Sequence, residues 1–274
     1  MSRPRVRLVV TADDFGYCPR RDEGIVEAFL AGAVTSVSLL VNGAATESAA
    51  ELARRHSIPT GLHANLSEGR PVGPARRGAS SLLGPEGFFL GKMGFREAVA
   101  AGDVDLPQVR EELEAQLSCF RELMGRAPTH VDGHQHVHVL PGVCQVFAEA
   151  LQAYGVRFTR LPLERGVGGC TWLEAPARAF ACAVERDARA AVGPFSRHGL
   201  RVPPTGGCGE GPDAFSCSWE RLHELRVLTA PTLRTRLAQD GVQLCALDDL
   251  DSKRPGEEVP REATLEPFLE PSLL

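Results

Sequence analysis

Four of the chain's eight histidines fall within nine residues, in the run His130-Val131-Asp132-Gly133-His134-Gln135-His136-Val137-His138. Charging several neighbouring imidazoles is unfavourable, whereas neutral imidazole is the commonest metal ligand. The cluster therefore points to metal binding or catalysis. Two weaker signals accompany it. Asp13-Asp14 interrupts the segment Thr11-Ala12-Asp13-Asp14-Phe15-Gly16, and His63 alternates with apolar neighbours in Thr60-Gly61-Leu62-His63-Ala64-Asn65-Leu66. Taken singly, an Asp pair after a strand is more often a turn or helix cap, and such a histidine a hydrogen-bonded core residue. Taken together they make a set. A hydrolytic metal needs about three protein ligands and an open position, which one carboxylate and two imidazoles provide. A second carboxylate beside them can act as general base if it does not ligate. Asp132 reads equally as an acceptor that orients a metal-bound imidazole and as a turn residue before Gly133.

These residues need elements that bring them together. Arg7–Thr11 is a short β-branched run with Asp13-Asp14 directly after it. Helical spacing follows from about Arg21 to Ala31, a strand from Val34 to Val41, a helix from Glu47 to Arg55 and a strand from Thr60 to Leu66. That alternation is the rhythm of a parallel sheet with helical crossovers. Ser67 to Gly94, rich in Gly, Pro, Arg and Ser, reads as a long functional loop. The rhythm resumes with a helix over Pro107–Met124, a strand over Thr129–Asp132, a helix over Pro141–Tyr154 and a strand over Val156–Thr159. Catalytic groups in α/β sheets and barrels gather at the carboxyl ends of strands. Asp13-Asp14 after the first strand, His63 near the end of the third and His134 after the fourth would then share one face.

Beyond Leu161 the pattern weakens. Residues 162–205 are atypical, with one helix expected over Thr171–Ala191 and no clear strand. Helices return over Trp219–Val227 and Pro231–Gln239, followed by a strand over Val242–Ala246. Residues 1–247 read as a single α/β domain and 248–274 as a disordered, acidic, proline-containing tail.

Composition narrows the classes. The chain has 274 residues, 43% of them hydrophobic and 24% charged, and a net charge of −5. Nothing there attracts nucleic acid or an anionic membrane. The basic N-terminus lacks the apolar run and cleavage site of a signal peptide, and no stretch reaches a membrane span. Cysteines 18, 119, 144, 170, 182, 208, 217 and 245 form no C-x-x-C pair. Reduced thiols in an intracellular, cytoplasmic protein are the expectation. The composition calls for no protein partner and leaves oligomeric state open.

The ordered motifs Thr-Ala-Asp-Asp-Phe-Gly, Gly-Leu-His and His-x-Asp-x-His-x-His-x-His, with Val34–Gly43, resemble the YdjC-like carbohydrate deacetylase family over about residues 6–160. The resemblance implies a distorted (β/α) barrel of the polysaccharide-deacetylase type and amide hydrolysis of N-acetylamino sugars in oligosaccharides. It implies Asp13 as catalytic base and Asp14, His63 and His134 as ligands of magnesium, although two imidazoles suit zinc better on chemical grounds. His136 or His138 would orient substrate or protonate the departing amine. Family members carry a late His-Pro motif, and this sequence contains no His-Pro dipeptide. The alternative expectation is thus a form with an incomplete second half, binding metal or sugar with impaired turnover.

Overall fold

The computed structural model describes residues 6–74, 80–164, 166–171, 173–203 and 219–250. Strands β1 (Val6–Leu8) and β2 (Thr11–Phe15) are successive halves of one extended segment. They lead into α1 (Pro19–Leu30), β3 (Ser36–Leu39), α2 (Thr46–Arg55) and β4 (Thr60–Ala64). Then come α3 (Gly91–Ala101), α4 (Leu106–Met124), β5 (Val131–Gly133), a 3-10 turn (His134–Val139) and α5 (Val143–Ala153). The remaining long elements are α6 (Ala175–Arg197), α7 (Trp219–Thr229), α8 (Pro231–Gln239) and β6 (Val242–Leu244).

Every residue of β3 and β4 is buried, as expected of parallel strands covered on both faces. The cover includes α4, which starts with a proline in its first turn and stops at left-handed Gly125. Its buried Val109, Leu113, Leu117, Phe120 and Met124 recur every three or four residues and make one apolar stripe.

All strand pairs are parallel, in the order β2-β3-β4-β5, with β1 paired to β6. The sheet extends past β5 because Val131 N donates to Phe158 O at 3.1 Å. One further parallel bridge joins Phe158 to Arg201. Since β1 and β2 are one segment, the sheet curls from β6 through β1/β2 round to Arg201. This is a distorted (β/α) barrel. Among the described residues no strand joins Arg201 to β6.

Four elements differ from the sequence expectation. Asp13 and Asp14 lie inside β2 rather than after a strand, because pairing with β3 continues through a bulge to Phe15. Residues from Gly91 belong to α3, whose Gly91 and Gly94 gave its first turn the composition of a loop. Val156–Thr159 contributes only the bridge at Phe158. The atypical region holds α6, which begins at Ala175 and continues past the expected end through Pro194 to Arg197. Of the expected tail, Asp248–Leu250 form a 3-10 turn and 251–274 lie outside the described residues. No helix among the described residues is long and apolar enough to cross a membrane.

Candidate metal centre

Successive side chains of a regular strand point to opposite faces, so adjacent aspartates could not both serve one site. The β2 register shifts between Ala12 and Phe15, and Asp14 has φ of 59°. A bulge with a left-handed residue turns the second carboxylate to the side of the first. Asp14 then faces β4 and the turn after β5. Its Oδ1 lies 3.4 Å from His63 Nε2 and 2.9 Å from His134 Nδ1. The two imidazoles stand edge to face with centroids 5.2 Å apart.

These three atoms fit a cation. Two donors roughly 2.1 Å from one ion stand about 3.0–3.4 Å apart, and the two distances to Asp14 Oδ1, 2.9 and 3.4 Å, lie close to that range. Asp14 Oδ1 and His63 Nε2 are buried without a hydrogen-bond partner, as atoms suited to coordinate a cation would be. Asp13, His63 and Asp132 also approach one another within 4.8 Å. In that group His63 Nδ1 already bonds Asp132 Oδ1 at 2.6 Å, leaving no room for an ion between them.

Asp132 resolves as an orienting acceptor. It is fully buried and fixes the proton of His63 on Nδ1, which turns the Nε2 lone pair toward Asp14. Burial would raise its carboxyl, but Arg160 and His63 outweigh burial and hold it well below the usual range. Ser38 Oγ donates to Asp132 Oδ2 at 2.9 Å and meets His130 Nε2 at 2.9 Å. Burial brings His130 down to about 4, so the neutral ring donates through Nε2 to Ser38 while Thr129 Oγ1 meets its Nδ1. Three buried polar residues thus stand behind one ligand.

Asp13 has a different partner. Arg160 Nη2 donates to its Oδ2 at 2.6 Å, and Arg160 Nε is 2.6 Å from Asp132 Oδ2. Oδ1 of Asp13 is buried and unpartnered. Burial raises the Asp13 carboxyl, against the pull of Arg160 and His63. On Asp14, burial is outweighed by the neighbouring His134 and His63, which hold the carboxyl far below the usual range. Arg21 Nη1 donates to Asp14 Oδ2 at 2.7 Å.

The remaining histidines separate. His138 is 2% exposed, packed with Phe147 and Phe195, and bonded through Nε2 to Arg160 O at 3.0 Å. Burial brings it down to about 3, which makes it a neutral support for the Arg160 backbone. His136 is half-buried, in a left-handed backbone with φ of 61°. Burial and the cations Arg160, Lys92 and Arg96 hold it near 3, so it is neutral at ordinary pH and can orient a ligand. Sequence reasoning missed Arg160, Ser38, His130 and Glu68, whose Oε2 lies 2.6 Å from His134 Nε2. No local pattern marks them. Only His130, inside the histidine cluster, carried any signal.

A family profile described as YdjC-like protein matches residues 7–205. A human carbohydrate deacetylase is 83% identical over 323 positions, taking in 100% of each chain. This chain has 274 residues, so 49 of those 323 positions are filled only in the human relative. A chitooligosaccharide deacetylase from Serratia marcescens is 35% identical, covering 89% of this chain and 98% of its own. Among solved structures, a proposed cellobiose-phosphate cleavage protein from Enterococcus faecalis superposes with a TM-score of 0.62 at 22% identity. That match covers 90% of this chain and 99% of the other, and it supports the barrel fold.

Proposed function

The chain belongs to the YdjC-like family, and from that premise we propose that it is a carbohydrate deacetylase that hydrolyses the amide of N-acetylated sugars. The observation that carries the reading is the convergence of Asp14 Oδ1, His63 Nε2 and His134 Nδ1 beside a carboxylate that bonds none of them. A divalent cation held by those three atoms would supply Lewis acidity at the acetyl carbonyl and make water acidic enough to attack. Asp13 Oδ1, the free oxygen of a carboxylate held through Oδ2, takes the proton of the attacking water. Water adds to the acetyl carbon, the carbon–nitrogen bond breaks, and acetate and a free amine leave, with a proton ending on the nitrogen. His136 lines the edge where the sugar would lie.

Magnesium is the family expectation, while one carboxylate and two imidazoles suit zinc. Metal analysis of protein purified without chelators decides between them. The described cysteines 18, 119, 144, 170, 182 and 245 are free, which supports the cytoplasm as the compartment of action.

The 49 positions filled only in the human relative favour a second reading for this form, in which the metal site persists and turnover is weakened. The family's late His-Pro motif is lacking, and among the described residues no strand lies between the bridge at Arg201 and β6.

Acetate release from an N-acetylated chitobiose-type substrate tests the main reading. Asp13→Ala should keep its metal and lose about 10²–10⁴-fold in turnover. His134→Ala should lose metal affinity as well. Equal acetate release by both variants and the wild type would remove the site assignment.

A further inference from the structure

Both ligand histidines must present a lone pair to the same point, yet they do so through different nitrogens. His63 faces Asp14 with Nε2 and is backed at Nδ1 by Asp132. His134 faces Asp14 with Nδ1, so its proton has to sit on Nε2. Glu68 Oε2 stands 2.6 Å from that Nε2. We propose that Glu68 is a positioning residue of the metal centre: it fixes the Nε2–H tautomer of His134 and thereby aims Nδ1 at the cation. The inference rests on the metal reading above and extends it to the long loop after β4.

The placement of Glu68 is built into the backbone. Asn65 Oδ1 accepts from Ser67 N at 3.1 Å and Glu68 N at 2.9 Å, while Asn65 Nδ2 donates to Glu68 O at 2.9 Å. Asn42 Nδ2 donates to the same carbonyl at 3.2 Å. Asn65 is itself anchored to α4, since Gln116 accepts from Asn65 N at 2.9 Å and donates to Asn65 O at 2.6 Å. Gln135 holds the carboxylate from the other side at 3.3 Å, and its own Oε1 accepts from Ser67 Oγ at 2.9 Å. Glu68 lies across the imidazole from Asp14, so it backs a ligand rather than joining the set. A carboxylate accepting from a ligand's distal N–H fixes the ring orientation and raises its basicity. Asp132 does this from the buried side, and Glu68 does it from the solvent side, where its side chain is 37% exposed.

Titration of wild type, Glu68→Ala and Glu68→Gln with Zn2+ and, separately, Mg2+ tests the assignment. Glu68→Ala should bind 10–100-fold more weakly. Glu68→Gln should recover most of the loss, because its Oε1 still accepts from Nε2–H. Nitrogen-15 histidine spectra of the metal-free protein, taken at a pH high enough to leave the His134 ring neutral despite the pull of Asp14 and Glu68, should show Nε2–H for His134 in the wild type and a mixture of tautomers in Glu68→Ala. Thermal midpoints of the metal-free variants should match the wild type, which separates positioning from a structural role. Wild-type affinity and an unchanged His134 tautomer in Glu68→Ala would overturn the proposal. Failure of the wild type to bind either metal, with His134 still Nε2-protonated, would overturn the metal reading and leave the tautomer result standing by itself.

Discussion

Arg160 shares one guanidinium between Asp13 and Asp132, the proposed base and the support of a metal ligand. Such a cation keeps two neighbouring buried carboxylates ionised, and its rigid fork sets their separation. A base works only when deprotonated, and Arg160 pulls Asp13 down while burial pushes it up. Replacing Arg160 with Gln removes the pull, so more of Asp13 is protonated at a given pH and the acid limb of the rate profile moves up. A shift of about 1–3 pH units is expected, with turnover partly restored above it. Arg160→Lys should move the limb less, since it keeps the charge and loses the fork. Superimposable pH–rate profiles for wild type and Arg160→Gln would refute the role, provided that melting curves show both folded.

β4 carries His63 toward the site, and its register depends on a residue without a side chain. A Cβ on Gly61 would meet the His130 ring at 2.4 Å. That ring is fully buried and fixed by Ser38 and Thr129, so it has nowhere to move. Gly61→Ala should cost about 1–3 kcal/mol by overpacking. Because His130 leads through Ser38 and Asp132 to His63, metal affinity should fall together with the melting temperature. A destabilised variant with wild-type metal affinity would show that the buried chain does not position the ligand. The element least legible in advance was β2. Its bulge, with Asp14 at a φ of 59°, depends on pairing with β3 and not on local propensity.

Across the whole molecule, the groups proposed to hold the metal all precede Arg201, the last strand-paired position before β6 among the described residues. The human relative fills 49 positions that this chain does not. Metal affinity should therefore be alike in the two proteins, while the human relative melts higher and releases acetate faster. Parallel titration, thermal unfolding and acetate assays check this. Closely matching melting temperature and turnover in the two would place the additional positions outside the barrel wall and the site.

The sequence by itself determined the donor types and the order in which they occur. It also determined the alternation of strands and helices, because ligand chemistry belongs to a residue and hydrophobic period to a short window. Asp13, Asp14, His63 and His134 could be singled out as candidates for that reason. Only the tertiary structure decided which nitrogen of each imidazole faces Asp14, that both aspartates point the same way, and that Arg160 and Glu68 stand beside them. Glu68 stands 66 residues from His134, and Arg160 stands 147 residues from Asp13. A polar contact across such a span exists only once the chain's path brings its two ends within about 3 Å, and no local pattern encodes that path.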